Sequence, residues 1–268
     1  MMGKNKVYCM DCIEFLKMIP DDSVDMLLTS PPYWRKKDYG HNGQIGLELK
    51  FEDYLDRLAV VFAEVHRCLK PTGTIWVNIG DTYATHASSS KKSTQFGRPT
   101  KPADMVRHYK KPRQSVPEKC LCGIPHRFVN RMTDAGWVHR NTIIWIKRGR
   151  PDPTEDRLSQ AHFEYIFLFV KSHQYFFNKI EGISTIWEIQ YDRENTWHPA
   201  PFPLELAKRV IQLGCPEGGI VIDPFVGSGT TLIAARSLGR MFAGADINRE
   251  FVQETNSRLD QKILSEWI

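Results

Sequence analysis

Two short segments of this 268-residue chain combine residue types that could do chemistry together. The first is Ser30-Pro31-Pro32-Tyr33. Neither proline has a backbone N–H, so the segment presents carbonyl acceptors without competing donors. A residue preceding proline is held extended, which fixes the direction of the Ser30 hydroxyl and the Pro31 carbonyl. Such a rigid acceptor pair suits an exocyclic amine, whose two N–H bonds it can receive. An amine donating both bonds is drawn toward a pyramidal geometry and exposes its lone pair. Tyr33 then offers an aromatic face for stacking a base. Considered without the rest of the chain, the same residues would also suit an ordinary turn with Tyr33 in the core.

The second segment is Asp223-Pro224-Phe225-Val226-Gly227-Ser228-Gly229-Thr230-Thr231. Gly227 and Gly229 allow the backbone to approach a ligand closely, and free amides at a helix opening with Thr230 favour an anion. Asp246 follows Gly229 by 17 residues, at the end of the next expected strand, where a carboxylate can accept both hydroxyls of a ribose. The pattern suits a cofactor containing adenosine. No Gly-Lys-Ser/Thr follows, which disfavours a Walker-type phosphate loop, and Leu232 stands where a dinucleotide fingerprint needs its third glycine. A tight strand-to-helix turn without a ligand is the plainer reading of the loop alone.

These residues need a scaffold, and the surrounding pattern describes one. Strands are expected at 7–10, 24–29, 74–79, 142–146, 163–170, 220–222 and 241–245. Helices are expected at 51–70, 124–135, 204–213 and 230–238, and from 248 onward. Phe51, Tyr54, Leu55, Leu58, Val61, Phe62, Val65 and Leu69 recur at helical spacing, and Pro71-Thr72-Gly73 is expected to stop that helix. Strands linked by helices imply a mainly parallel, doubly wound sheet, in which ligands bind beyond the carboxyl ends of the strands. Asp11, Ser30-Pro31-Pro32-Tyr33-Trp34, Gly80-Asp81, the glycine segment and Asp246 each follow an expected strand. They should therefore line one rim.

With 41% hydrophobic and 25% charged residues, the chain reads as globular, and its longest apolar run, Ile166-Phe167-Leu168-Phe169-Val170, is far too short to span a bilayer. No signal-peptide core follows the first residues, and a cytoplasmic location is expected. The formal net charge is only +5, but nine basic residues between 91 and 119 face only Asp104 and Glu118. This Ser-, Thr- and Pro-rich stretch lacks apolar periodicity. It reads either as a solvated surface loop or, preferably, as an arm that contacts phosphates. Cys9 and Cys12, with Cys120 and Cys122, could supply four thiolates to zinc. The short C-x-C spacing and the apolar setting of Cys9 point instead to buried, reduced thiols, and no metal site is expected.

The segment from Thr29 to Trp34, together with that from Asp223 to Thr231, closely resembles the amino-methyltransferases of DNA. These use S-adenosylmethionine to methylate cytosine N4 or adenine N6. The Ser-Pro-Pro-Tyr motif precedes the glycine loop, an order that looks like the permuted beta class, with target recognition between the two motifs. The likeness covers nearly the whole chain and fades at 84–118 and 148–160. It implies a doubly wound mixed, mainly parallel seven-stranded sheet of the S-adenosylmethionine-dependent methyltransferase type, carrying a target-recognition insertion. Residues 1–83 would form the catalytic half and 84–118 a basic DNA-contacting insertion. Residues 119–196 would supply the remaining strands and target-recognition segment, and 197–268 the cofactor-binding half.

By the same resemblance, Ser30, Pro31, Pro32 and Tyr33 would be catalytic. Asp223, Phe225, Gly227 and Gly229 would hold the methionine part of S-adenosylmethionine, and Ser228 and Thr230 would also belong to the cofactor site. Asp246 would bind its ribose, Asp11 would lie near its adenine, and His198 and Phe202 would close the pocket. The partner would be double-stranded DNA, and a companion restriction endonuclease is admitted. Phosphate contacts would come from Arg35, Lys36 and Lys37, and from Lys91, Lys92, Arg98, Lys101, Lys110, Lys111 and Arg113. A Pro-Cys nucleophile of the carbon-5 cytosine type is absent, which leaves direct transfer to nitrogen. Ser at the first motif position usually accompanies cytosine N4 in this family, with adenine N6 as the alternative. Glutamine-amide or RNA-guanine methylation, a nucleic-acid-binding module and a nicotinamide oxidoreductase are the rival readings.

Overall fold

The structure, a computed structural model, describes residues 3–84, 115–147, 156–159, 161–190 and 202–265, with the backbone alone at 262–265. In chain order the strands are β1 (Lys6–Cys9), β2 (Val24–Thr29), β3 (Leu69–Ile79), β4 (Val138–Ile146), β5 (Phe163–Val170), β6 (Ile186–Glu188), β7 (Ile220–Asp223) and β8 (Met241–Asp246). The helices are α1 (Cys12–Lys17), α2 (Phe51–Cys68), α3 (Ile124–Asp134), α4 (Leu204–Gly214), α5 (Thr230–Ser237) and α6 (Arg249–Ser265). The strands form one eight-stranded sheet in the order β1-β8-β7-β2-β3-β5-β4-β6. Only β5 runs against the others among the described residues.

Every residue of β2 is buried, as expected of a central parallel strand with helices on both faces. Its side chains alternate between two cores. Leu27 packs with Phe15, Phe51, Phe62 and Phe128 from α1, α2 and α3, whereas Met26 and Leu28 pack with Leu206, Val210 and Ile233 from α4 and α5. Besides Thr29, the buried polar residue of β2 is Asp25. It accepts from Lys70 Nζ at 2.7 Å and from the Ile220 amide at 2.9 Å, so its buried charge is paired.

Three expectations need correction. The sheet has an eighth strand, β6, whose three residues are too few to show a period. The helix expected to reach residue 70 ends at Cys68, and β3 begins at once with Leu69. Pro71-Thr72-Gly73 thus lies inside the strand. Leu69 pairs with Val24 but Thr74 pairs with Met26, so the intervening residues bulge out, where a proline without an N–H breaks no ladder bond. Cys9 is exposed rather than buried, because β1 is an edge strand, while Cys12 at the start of α1 is buried. All six cysteines are free, and no described helix is long and apolar enough to cross a membrane.

Candidate active site

The carboxyl ends of β1, β2, β3, β7 and β8 open onto one cavity of about 480 Å³. Because β5 is reversed, its first residues reach the same rim, where Tyr165 pairs with Ile79 of β3. Ser30, Pro31, Pro32 and Tyr33 line it beyond β2, and Asp223, Phe225, Gly227, Ser228 and Thr230 line it beyond the neighbouring β7, so each segment supplies one wall. Asp11, Asp246 and Phe202 also line the cavity, as do Lys36 and Lys37. Gly229 lies behind the wall, its turn packed on Thr255. Arg35 is half-buried just outside, with a left-handed φ of 53°. His198, Lys91, Lys92, Arg98, Lys101, Lys110, Lys111 and Arg113 lie outside the described residues.

The glycine wall is built by its own polar groups. Gly227 and Gly229 adopt φ of 52° and 81°, a region that L side chains enter only with strain. Asp246 accepts from the Gly227 amide at 2.9 Å and the Asn248 amide at 2.8 Å. Burial pushes its carboxyl above the usual range, against the pull of those two amides and of His41. Asp223 is fully enclosed and accepts from Thr29 Oγ1 and Thr231 Oγ1, both at 2.7 Å, and from the Phe225 amide at 3.0 Å. Burial raises it to about 6 despite those bonds. Helix α5 opens on Gly229 with no side-chain cap, so its first amides remain donors beside the cavity.

The neighbouring wall, beyond β2, turns at the two prolines. Ser30 is half-buried, and Pro31 is buried beneath it. The Tyr33 hydroxyl donates to Glu164 Oε2 at 2.8 Å and lies 3.3 Å from Asn78 Oδ1. Its ring rests on Gly80, where a Cβ would stand 2.7 Å from Cε2. Beyond Trp34 the chain folds back over the cavity. Gln44 Oε1 holds the Tyr39 amide at 2.9 Å, and Arg57 braces the same segment through the Gly43 and Gln44 carbonyls. Tyr39 meets Phe251 edge to face at 5.7 Å, and the Lys37 ammonium lies over both rings. Burial lowers Lys37 and pushes the Tyr39 phenol up to about 12, with Asp246 adding to the latter.

Several lining residues escaped the sequence reading. Lys147, directly after β4, pairs with Glu164 at the start of β5, and both are largely buried. Reading the residue after every strand would have found Lys147; the reversal of β5 hides Glu164. Asp81, which was legible, is engaged by the Thr82, Gly123 and Ile124 amides and so anchors the start of α3. Tyr39 and Phe251 carry no local signal of a site.

A family model described as DNA methylase matches residues 24–257. The chain belongs to the N6/N4 DNA methylase family. It is 34% identical over 265 residues to the type II methyltransferase M.XycI of Xanthomonas campestris pv. cyanopsidis, covering 93% of this chain and 85% of that one. It is 33% identical to M.SmaI of Serratia marcescens, over 95% and 90% of the two chains. Among solved structures, a putative DNA modification methylase of Thermus thermophilus, complexed with S-adenosyl-L-methionine, superposes with a TM-score of 0.66 and 26% identity. That match covers 96% of this chain and 93% of the other. The PvuII DNA methyltransferase (cytosine-N4-specific) shares the fold at a TM-score of 0.70 and 20% identity, over 95% and 86%. The methylase therefore has the S-adenosylmethionine-dependent methyltransferase fold expected from its motifs, with the two motif-bearing strands β2 and β7 adjacent in the sheet.

Proposed function

We propose that this methylase transfers a methyl group from S-adenosylmethionine to the N4 amine of a cytosine flipped out of double-stranded DNA. One observation carries the reading: the acceptor corner at Ser30 and the glycine turn at Gly227 line the same cavity. The residues fit the cofactor. Gly227 supplies a turn that a side chain would strain, Asp246 brings a carboxylate to the rim, and Phe202, Phe225 and Phe251 give apolar walls. Asp246 would take the ribose, Asp11 would lie near the adenine, and the 223–230 loop would hold the methionine part. When bound, S-adenosylmethionine supplies a methyl group already activated on a sulfonium sulfur.

The chain's own residues then have three tasks. Ser30 Oγ and the Pro31 carbonyl receive the two N–H bonds of the target amine and stabilise charge that builds on nitrogen. Tyr33 presents its ring to the base, and the apolar walls exclude water. Alignment by the double-proline corner lowers the entropic cost of bringing amine and methyl together. Flipping costs a few kcal/mol, offset by phosphate contacts from the 84–118 segment and from Lys36 at the cavity mouth. The type II names of the relatives support a role beside a restriction endonuclease.

Nucleoside mass spectrometry of DNA incubated with the enzyme and S-adenosylmethionine tests the assignment. N4-methylcytosine is expected; a digest containing only N6-methyladenine would assign the other base, and the absence of both products would overturn the proposal. If the basic segment makes about five phosphate contacts, log affinity should fall with log salt at a slope of roughly −4 to −5.

A further inference from the structure

Resting on that reading of the cavity, we infer that Glu164, held by Lys147, is a positioning residue: it fixes the plane of the Tyr33 ring against which the target base stacks. The two prolines set the backbone at the corner, but Tyr33 lies one residue beyond them and keeps its own side-chain torsions. A stacking surface must be held within a fraction of an ångström and some tens of degrees to orient a reacting group. Something outside the motif must supply that restraint.

The described residues show what it is. A phenol has a single hydrogen to donate, and the carboxylate at 2.8 Å is the closer and stronger acceptor than the amide oxygen at 3.3 Å. Asn78 gives secondary support, its own amide donating to the Tyr165 carbonyl at 3.1 Å. Gly80 closes the other side of the ring, leaving no space for a Cβ. Glu164 is itself fixed. Its side chain is only 14% exposed and that of Lys147 13%, so the ion pair is shielded from water. Register places Glu164 opposite Trp145, two residues before Lys147. One carboxylate oxygen faces the phenol and the other faces the ammonium. The ion pair offsets part of the cost of burying the carboxylate. Glu164 therefore acts through Tyr33 rather than on the amine, and two strands remote from the motif set the orientation of its aromatic face.

The test is a double-mutant cycle on methyl transfer under single-turnover conditions, with S-adenosylmethionine affinity measured by calorimetry. Glu164→Ala should slow transfer roughly tenfold, the scale of one charge-assisted hydrogen bond, and leave the cofactor dissociation constant within about twofold. Glu164→Gln, which keeps an oxygen acceptor, should recover most of the rate. Tyr33→Phe should lose a similar amount, and adding Glu164→Ala to it should cost little more. Losses that multiply, or a Glu164→Ala enzyme at the wild-type rate, would overturn the inference and assign the ion pair to joining β4 and β5. Should Glu164→Ala not fold, Tyr33→Phe alone decides, since a wild-type rate without the hydroxyl leaves Glu164 nothing to position. Absence of transfer by the wild-type enzyme in the same assay would instead sink the proposed function.

Discussion

The two walls of the cavity are held by different means. On the glycine side most partners are close in sequence: Asp246 with Gly227 and Asn248, Asp223 with Phe225 and Thr231, and Ser228 with Thr230 lie within 19 residues, and Thr255 and Arg258 of α6 reach the Gly227 and Ser228 carbonyls across 28 and 30. On the Ser30 side, Tyr33 is held by Asn78 and Glu164, at separations of 45 and 131 residues. The first wall is built mainly from one stretch of chain, β7 to α6. The second exists only when β2, β3, β4 and β5 have assembled. The pairing of β2 with β7 ties them together, with side-chain bonds from Thr29 Oγ1 to Asp223 and from Thr231 Oγ1 to the Leu28 carbonyl, 194 and 203 residues apart.

If the walls divide the work as proposed, changes on one side should not register on the other. Ser30→Ala should give the largest effect, a loss of roughly 100-fold or more in methyl transfer, comparable to removal of a donor from an oxyanion hole. The dissociation constant for S-adenosylmethionine should stay within about twofold. Equal loss of transfer and affinity in a calorimetric and single-turnover comparison would abolish the division.

The burial of Asp223, despite the Thr29 and Thr231 bonds that pull the other way, gives the next effect, and it depends on pH. The folded Asp223 carboxyl titrates near 6, whereas an unfolded aspartate titrates near 3.9. The folded chain thus binds this proton more tightly. Stability from this group is fully present below about pH 4, falls as pH rises toward 6 and is absent above, by roughly 3 kcal/mol at most. Asp223→Asn keeps the shape and removes the titration. In urea unfolding the wild type should therefore lose about 1 kcal/mol more than the variant between pH 5 and pH 7. Parallel pH profiles would show that Asp223 does not titrate in this window.

The same contrast explains what could be read from the sequence. The alternating strands, the amphipathic α2 and the strand-end positions of Ser30, Gly227 and Asp246 follow from local pattern, and the structure places them on one rim. The bulge at Pro71 was missed because turn-forming residues look the same whether they end an element or loop out of one. Helix α1, with six residues, was too short to show a period. Cys9 misled because an apolar neighbourhood does not reveal an edge strand. Glu164 and Lys147 were illegible for a deeper reason: only the antiparallel register of β4 and β5 brings them to Tyr33.

A loss confined to the cofactor is expected at Asp246. Asp246→Ala removes the proposed ribose acceptor and the bond to the Gly227 amide, and should weaken S-adenosylmethionine binding about 10- to 30-fold, the scale of a charge-assisted hydrogen bond or two. With cofactor saturating, transfer should approach the wild-type rate. An unchanged dissociation constant would take Asp246 out of the ribose site.

Two glycines give the finest comparison, because the same added methyl group meets different surroundings on each wall. At Gly229 the backbone has φ of 81°, and a Cβ would stand 2.5 Å from Thr255 Cγ2. Gly229→Ala therefore combines strain with a clash against α6 and should cost about 1–3 kcal/mol, read as a lower unfolding temperature and weaker cofactor binding. At Gly80 the φ is not positive, so an alanine suffers no such strain and even restricts the unfolded chain. The added atom instead meets the Tyr33 ring at 2.7 Å, which can yield only by tilting away from the position held by Glu164. Gly80→Ala should keep its unfolding temperature within a few degrees and its cofactor affinity unchanged, yet transfer several-fold more slowly. A Gly80→Ala enzyme that loses stability but not rate would mean that Tyr33 is part of the packing on this wall and not its working face.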